Sequence, residues 1–352
     1  MKTVVIAIAF SIFLPISAFA SEPENIIFDT DTAYFADDGV ALVMLLQKPE
    51  QISIRGMTIV AGNHFPRQGV EYMLHVLDLM KRQDIPVYLG ADSPLRNNAD
   101  MSVKMTKEWG LNFKGAFGRK QINAPSDIDP PSGGKFSQHR PEKSGAVTYL
   151  VETLEHTKSP ITIVALGPLT NIAKLLQKRP SLAKKIRRLV LFGGNVHAPG
   201  NTTPYAEFNF WFDPEATDFV LKSSIKDKIM IGLDLSNQAI FSKAQFDQII
   251  SAQSPVTELF KEDRGTRGPK FLSNPAATTF VWDALVAGYL IDPSIVTNSE
   301  KQYLNVITEF GPKYGAVEIS RVKKGTPVTV MTGLNYDKFF QLFKTLLTKP
   351  VQ

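Results

Sequence analysis

Residues 26–43 read "IIFDTDTAYFADDGVALV": an apolar run, then Asp29, Asp31, Asp37 and Asp38, then a second apolar run of helical character. Ile26, Ile27 and Phe28 suit a buried strand, and the run after the aspartates suits a helix packed against it. Carboxylates this close repel one another. A buried carboxylate without a partner costs several kcal/mol, or its pKa shifts until it is neutral. The stretch therefore predicts a strand, a turn crowded with negative charge and a helix. It also asks what makes the crowding tolerable.

The same alternation continues along the chain. Short β-rich runs predict strands at Asn25–Phe28, Ile52–Val60, Val87–Leu89, Ile161–Ala165, Leu189–Phe192 and Lys228–Gly232. Between them, apolar residues recur at helical spacing over Val70–Lys81, Ala146–Lys158 and Thr170–Gln177. Alternating strands and helices predict an α/β fold with a mostly parallel, Rossmann-like central sheet and helices on both faces. Composition predicts long surface loops at Asn123–Ser144 and Glu262–Asn274, and no internal repeat is visible. In such a sheet, ligands bind outside the carboxyl ends of the strands. That edge collects Asp29 and Asp31, and also the ends of "TIVAGN" (58–63), "IVALGPLTN" (163–171) and "LVLFGGN" (189–195).

The first twenty residues read as a bacterial-type secretory signal. Lys2 supplies the positive charge, "VVIAIAFSIFLPI" the apolar core, and "AFA" before Ser21 the small-x-small cleavage site. The run is short for the ~20 apolar residues of a membrane span, and Pro15 interrupts it. The expectation is a periplasmic or secreted protein whose residues 21–352 form a single domain, with no membrane association after cleavage. With no cysteine, that domain must be held by core burial and not by disulfides. The formal net charge is +5, and the positive excess is scattered. "KRPSLAKKIRR" (178–188) reads as a solvated helix end before a strand, so no nucleic-acid partner is expected.

Three readings of the aspartates compete. Asp37 and Asp38 could sit in the first turn of the helix, accepting orphan N–H bonds and suiting the macrodipole. That accounts for one of them and not for four. A haloacid-dehalogenase-type phosphatase has two aspartates one residue apart after a strand, but Ala33 stands where that pattern needs Thr or Val. A hard cation is the third reading: carboxylates at a strand end, without nearby His or Cys, suit Ca²⁺ or Mg²⁺. The spacing is not that of a helix–loop–helix calcium loop.

Asp-x-Asp after the first strand, with Asp-Asp opening the next helix, resembles the signature of the nucleoside hydrolases that include the inosine–uridine-preferring enzymes. "AGN" (61–63), "LGPLTNIA" (166–173), "GNTTPYAEFNFWFDPEA" (200–216) and "WDAL" (282–285) resemble the family's later motifs in the same order. The resemblance spans most of the mature chain and implies the nucleoside hydrolase fold. Two departures stand out. Thr32-Ala33 replaces the commoner Pro-Gly, with a longer gap to the aspartate pair, and Phe35 sits where a variant branch carries a further acid.

By the resemblance, Asp31, Asp38 and Asp283 would hold one Ca²⁺ through side-chain oxygens and Thr170 through its backbone carbonyl. Asp31 would also take a proton from the attacking water, as catalytic base. Asp37, Asn201, Glu207 and Asn209 would grip the ribose hydroxyls of a ribonucleoside, the small-molecule substrate. Asn63 is divided between a base contact and a helix cap. The implied activity is hydrolysis of the N-glycosidic bond, and the implied assembly a homodimer or homotetramer.

Many family members carry a His immediately before the last metal-binding Asp, where it protonates the leaving base. Here Trp282 stands in that place. Indole is no general acid, but it can stack on a purine, as in the family's purine-preferring branch. Trp109 is a candidate second stacking partner or a core residue, and His64 and His197 are candidate acids near the predicted rim. A rival reading is a periplasmic nucleoside- or sugar-binding protein of the same fold with little hydrolase activity. The altered first motif and the missing His favour it; the retained Asp31, which a pure binder does not need, opposes it.

Overall fold

The computed structural model describes residues 22–351 apart from 33, 132, 133 and 268, so the predicted signal segment lies outside the described residues. Among the described residues, twelve strands run in chain order as β1 (Glu24–Thr30), β2 (Ile52–Ile59), β3 (Val87–Leu89), β4 (Ile161–Ala165), β5 (Ile186–Phe192) and β6 (Lys228–Ile231), then β7 (Ile240–Ser242), β8 (Thr278–Phe280), β9 (Val296–Gln302), β10 (Leu304–Val306), β11 (Val317–Ile319) and β12 (Val328–Leu334). Eight of them form one sheet in the order β3-β2-β1-β4-β5-β6-β12-β9, parallel except where β9 pairs with β12. Two antiparallel pairs, β10 with β11 and β7 with β8, stand apart from it.

The helices are α1 (Ala36–Leu46), α2 (Pro66–Leu79), α3 (Ala99–Trp109), α4 (Ala146–His156), α5 (Thr170–Lys178), α6 (Phe208–Phe212) and α7 (Pro214–Leu221), followed by α8 (Leu233–Ser236), α9 (Lys243–Ile250), α10 (Pro255–Arg267), α11 (Pro269–Ser273), α12 (Ala284–Ile291) and α13 (Tyr336–Thr348). Strand side chains alternate between two cores, as a period of two requires. Ile26, Phe28, Val164, Val190 and Ile229 face the core built with α1, α2, α12 and α13. Ile27, Ile163, Leu189, Leu191 and Met230 face the core built with α4, α5 and α7. Each full burial of such a side chain is worth ~1.5–3 kcal/mol, so two apolar layers replace the absent disulfides. Among the described residues, no helix is long and apolar enough to cross a membrane.

Three expectations need correction. Glu262–Asn274 is not a loop: α10 and α11 occupy most of it, because Val256, Leu259 and Phe260 at helical spacing, with Phe271 beyond, bury into the first core. β5 begins at Ile186, three residues before the predicted strand, because Arg188 is drawn to Glu24 on β1, with Nη2 2.6 Å from Oε2 and Nε 3.0 Å from Oε1. The predicted strands end at Lys228–Gly232, whereas β7 to β12 follow, and β12 and β9 extend the main sheet. Among the described residues of 123–144 the predicted loop holds, apart from 3₁₀ geometry at Pro125–Asp127 and at Gly134. It is tied to α2 where Gln68 exchanges two bonds of 2.9 Å with the backbone of Asp129 and Tyr72 donates to the carbonyl of Pro130.

β1 lies between β2 and β4, so the strand order reverses there and opens a crevice at the carboxyl ends. The segment after β1 holds Asp31, and the segments after β2, β4 and β5 hold Asn63, Leu166–Thr170 and Gly193–Asn195.

Candidate active site

Asp31 follows β1 directly and is buried, as are Asp38 and Asp283. The backbone N–H of Asn63 donates to Asp31 Oδ2 at 2.8 Å, and Asn63 Nδ2 donates to Oδ1 at 3.2 Å. Asn63 thus clamps the Asp31 carboxyl and caps no helix, since the residue at the head of α2 is Phe65. The carboxyl also explains two motif glycines. A Cβ on Gly62 would lie 2.0 Å from Asp31 Oδ2, and one on Gly167 would lie 2.6 Å from Asp31 Cβ. Only glycine lets both turns close on the aspartate.

Asp37 and Asp38 fall in the first turn of α1, where the helix dipole favours them, with Phe35 rather than a polar residue at the N-cap. Phe35 packs into the core against Phe260. Asp38 accepts a bond from Thr30 Oγ1. One carboxylate oxygen each from Asp37, Asp38 and Asp283 lies within 4.8 Å of the others. Burial, and then the charge of Asp38, push the Asp31 carboxyl well above the usual carboxylate range. Burial, and then Asp37, Asp38 and Asp31, do the same to Asp283. An all-oxygen, like-charged donor set of this kind fits a hard cation, and the cluster can hold a metal ion.

Beside the cluster is a cavity of about 390 Å³ lined by Asp37, Asn63, Asn201, Glu207, Asn209, Trp282 and Asp283 of the predicted residues. Leu166, Phe192, Phe113, Phe208, Asn112 and Thr202 complete it. Among the described residues lining it there is no lysine, arginine or histidine. The Glu207 carboxylate already accepts from the N–H groups of Asn209 at 2.9 Å, Gly194 at 2.8 Å and Phe210 at 3.2 Å, so it fixes the head of α6 while forming part of the wall. Asn209 Nδ2 donates to the carbonyls of Leu166 and Phe192, and Asn201 Oδ1 accepts from Phe208 N. Thr170 opens α5, and its hydroxyl donates to Asp213 at 2.6 Å, which leaves its backbone carbonyl as the group that could face an ion.

Trp282 sits in the turn between β8 and α12, with its ring stacked on Phe280 at 5.8 Å and 13°. Its Nε1 is buried with no hydrogen-bond partner among the described protein atoms. Trp109 is not brought to the cavity. It ends α3 and packs on Phe310 at 5.4 Å, because Gly110, at φ +77°, turns the chain there. The aromatic that the next turn delivers is Phe113, tilted on Phe208 at 4.8 Å. Phe113 has no periodic signal in the sequence, whereas Phe208 lies inside a motif already singled out. Neither histidine lines the cavity. His64 is buried, its Nδ1 accepts from Phe65 N at 2.8 Å, and burial lowers its pKa to about 4. His197 is exposed and pairs with Glu300 at 2.6 Å.

The comparisons with known proteins bear on this arrangement. A family model described as inosine-uridine preferring nucleoside hydrolase matches residues 26–341. The chain belongs to the nucleoside hydrolase family. It is 32% identical over 318 residues to the pyrimidine-specific ribonucleoside hydrolase RihB of Escherichia coli, covering 90% of this chain and 94% of the relative. To the pyrimidine-specific ribonucleoside hydrolase RihA of Salmonella enteritidis it is 33% identical over 283 residues, 78% of this chain and 82% of the relative. Among solved structures, a plant nucleoside hydrolase, PpNRh1, matches with a TM-score of 0.77 at 24% identity over 93% of this chain and all of that one. A purine-preferring ribonucleoside hydrolase from Gardnerella vaginalis matches with a TM-score of 0.71 at 24% identity, covering 92% and 98%. These structural likenesses establish the fold. As a member of this family the protein is a hydrolase acting on N-glycosyl bonds.

The buried acids of this nucleoside hydrolase make its stability depend on pH in a defined direction. Burial raises Asp29 and Glu207 to about 7 and Asp213 to about 6. A group whose folded pKa lies above its unfolded value binds its proton more tightly when folded. Its contribution is complete below the unfolded pKa and is lost as pH rises through the folded one, at about 1.4 kcal/mol per pH unit between the two. The melting temperature of chelator-treated protein should therefore fall between pH 4.5 and about 7. A melting temperature that climbs across that window contradicts the assignment.

Proposed function

We propose that this nucleoside hydrolase is an exported, calcium-dependent enzyme that cleaves purine ribonucleosides in preference to pyrimidine ones, giving free base and ribose. The observation that carries this reading is that one cavity brings together Asp37 and Asp283 of the aspartate cluster, the amides of Asn201 and Asn209, and the indole of Trp282. Asp31, Asp38 and Asp283, with the backbone carbonyl of Thr170, would hold the ion, and half-buried Asp37 would join that centre to the sugar. A hard divalent cation supplies Lewis acidity, lowering the pKa of a coordinated water.

The residues of the chain do the remaining work. Asp31 accepts the proton of the attacking water on a carboxylate oxygen that Asn63 holds in place. The water oxygen adds to C1′ as the bond to the base nitrogen breaks, and the bonding pair leaves with the base. With the Oδ1 of Asn201 and the Nδ2 of Asn209 engaged by the backbone, the sugar hydroxyls would meet the amide donor of the first and the carbonyl of the second. Carboxylates of Asp37, Glu207 and Asp283 favour the positive charge that develops on the sugar. Among the described residues lining the cavity no imidazole is present to protonate the base, so the departing base takes its proton from solvent while it stacks against Trp282 and the neighbouring rings of Phe113 and Phe208, and Asp31 returns its proton to solvent. Export rests on the leader-like pattern of residues 1–20.

A pyrimidine preference is the second reading, favoured by the names of the relatives at 32% and 33% identity. Ribose release from inosine and from uridine, with and without chelator, separates the two. Stacking on an aromatic side chain is worth ~1–3 kcal/mol, or roughly 10–100-fold in rate when it is expressed in the transition state. Trp282→Ala should therefore depress kcat/KM for inosine by about that factor and leave Ca²⁺ affinity nearly unchanged. Equal kcat/KM for inosine and uridine, unaltered by the substitution, would show that the indole only packs.

A further inference from the structure

Asp213 lies outside the cavity, and no step above uses it. It is fully buried, and it is both the C-cap residue of α6 and the N-cap residue of α7. Its carboxylate gathers three separate pieces of chain. Oδ2 accepts from Thr170 Oγ1 at 2.6 Å and from the backbone N–H of Leu95 at 2.9 Å, while Oδ1 accepts from Ala216 N at 3.0 Å. Thr170 closes the turn that follows β4, and that turn rests on the site. Gly167 abuts the Asp31 side chain, Leu166 donates to the carbonyl of Asp29 at 2.8 Å, and Asn171 Nδ2 reaches the Asp29 carboxylate at 2.7 Å. On the other side, α6 carries Asn209 and begins at Glu207, both on the cavity wall.

We infer that Asp213 is a positioning residue that holds the Thr170 turn and α6 in one fixed relation, setting the metal half and the sugar half of the site together. The inference rests on the metal reading above, since Thr170 would serve the ion only through its backbone carbonyl. A capping aspartate needs no partner beyond the first turn of its own helix. Asp213 instead directs its second oxygen to a helix on another strand connection and to the loop before α3. Side chains that orient metal ligands from behind affect metal affinity by about 10–100-fold when removed.

The decisive variant is Thr170→Val, which keeps size and the backbone carbonyl but removes the donor to Asp213. Calorimetry with Ca²⁺ alone should show affinity weakened by about 10–100-fold, with Thr170→Ser restoring it to near the wild-type value. Asp213→Asn should weaken Ca²⁺ binding similarly and also raise KM for inosine, because α6 shifts with it. A role confined to stability would lower the melting temperature of Thr170→Val and leave its Ca²⁺ affinity at the wild-type value, which would overturn the inference. That readout stands even if Asp213→Asn fails to fold. Wild-type protein that binds no Ca²⁺ overturns the metal reading and this inference with it; wild-type binding matched by Thr170→Val overturns the inference alone.

Discussion

Asp31→Asn should lower kcat for inosine by about 10²–10⁴-fold, the usual contribution of a general base, without loss of folded protein. The substitution keeps the shape of a side chain pressed between Gly62 and Gly167, where a larger residue has no room. The amide oxygen can still accept from Asn63 N, and the Asn63 side chain can rotate so that its own oxygen meets the new amide. What disappears is the proton acceptor and one negative charge. Since burial and Asp38 already work against ionisation of Asp31, losing that charge relieves the metal-free protein. A steep fall in turnover with an unchanged or raised melting temperature in chelator is therefore the expected pair of results. Turnover measured at saturating Ca²⁺ separates the base from any weakened metal binding. Near wild-type kcat under those conditions would remove Asp31 from the role.

The parts of the molecule that were legible in the sequence are those that depend on local pattern. Ile26–Phe28, Ile161–Ala165 and the runs at β5 and β6 are buried on both faces, so they read as continuous apolar stretches. β9 was not legible because "VTNSEKQ" is an edge strand with much of its surface in solvent, and its charged residues protect the edge instead of marking a core. α10 was obscured by Gly265, a residue that signals a loop unless a buried face elsewhere in the helix outweighs it. At the site, most motif residues carried their own signal. Asp213, inside the motif at 200–216, and Phe113, outside any motif, were given no role of their own, because what distinguishes each is a neighbour far away in the sequence: Thr170 and Leu95 for the first, Phe208 for the second. Trp109 shows the converse. Its residue type suited a stacking partner, but the turn at Gly110 decides where the chain points next.

The aspartate cluster leads to the other large effect. Asp38→Asn keeps an acceptor for Thr30 Oγ1, so the start of α1 should remain intact, and the charge alone is removed. In protein without metal this is a gain: Asp31 and Asp283 each lose a like charge that now pushes their pKa upward, so the chelator-treated variant should melt higher than the wild type. With metal the sign reverses. Removing one charged partner from a buried ionic centre costs ~3–5 kcal/mol, or roughly 10²–10⁴-fold in affinity. Ca²⁺ raises the melting temperature of a protein that binds it only when folded, in proportion to the logarithm of concentration over Kd. The variant should therefore lose most of that rise and most of its ribose release at the Ca²⁺ concentration that saturates the wild type. The crossing of the two effects is the test, because a residue that merely caps α1 would lower both melting temperatures together. If Asp38→Asn melts below the wild type in chelator and gains as much from Ca²⁺, the aspartates are not gathered around an ion.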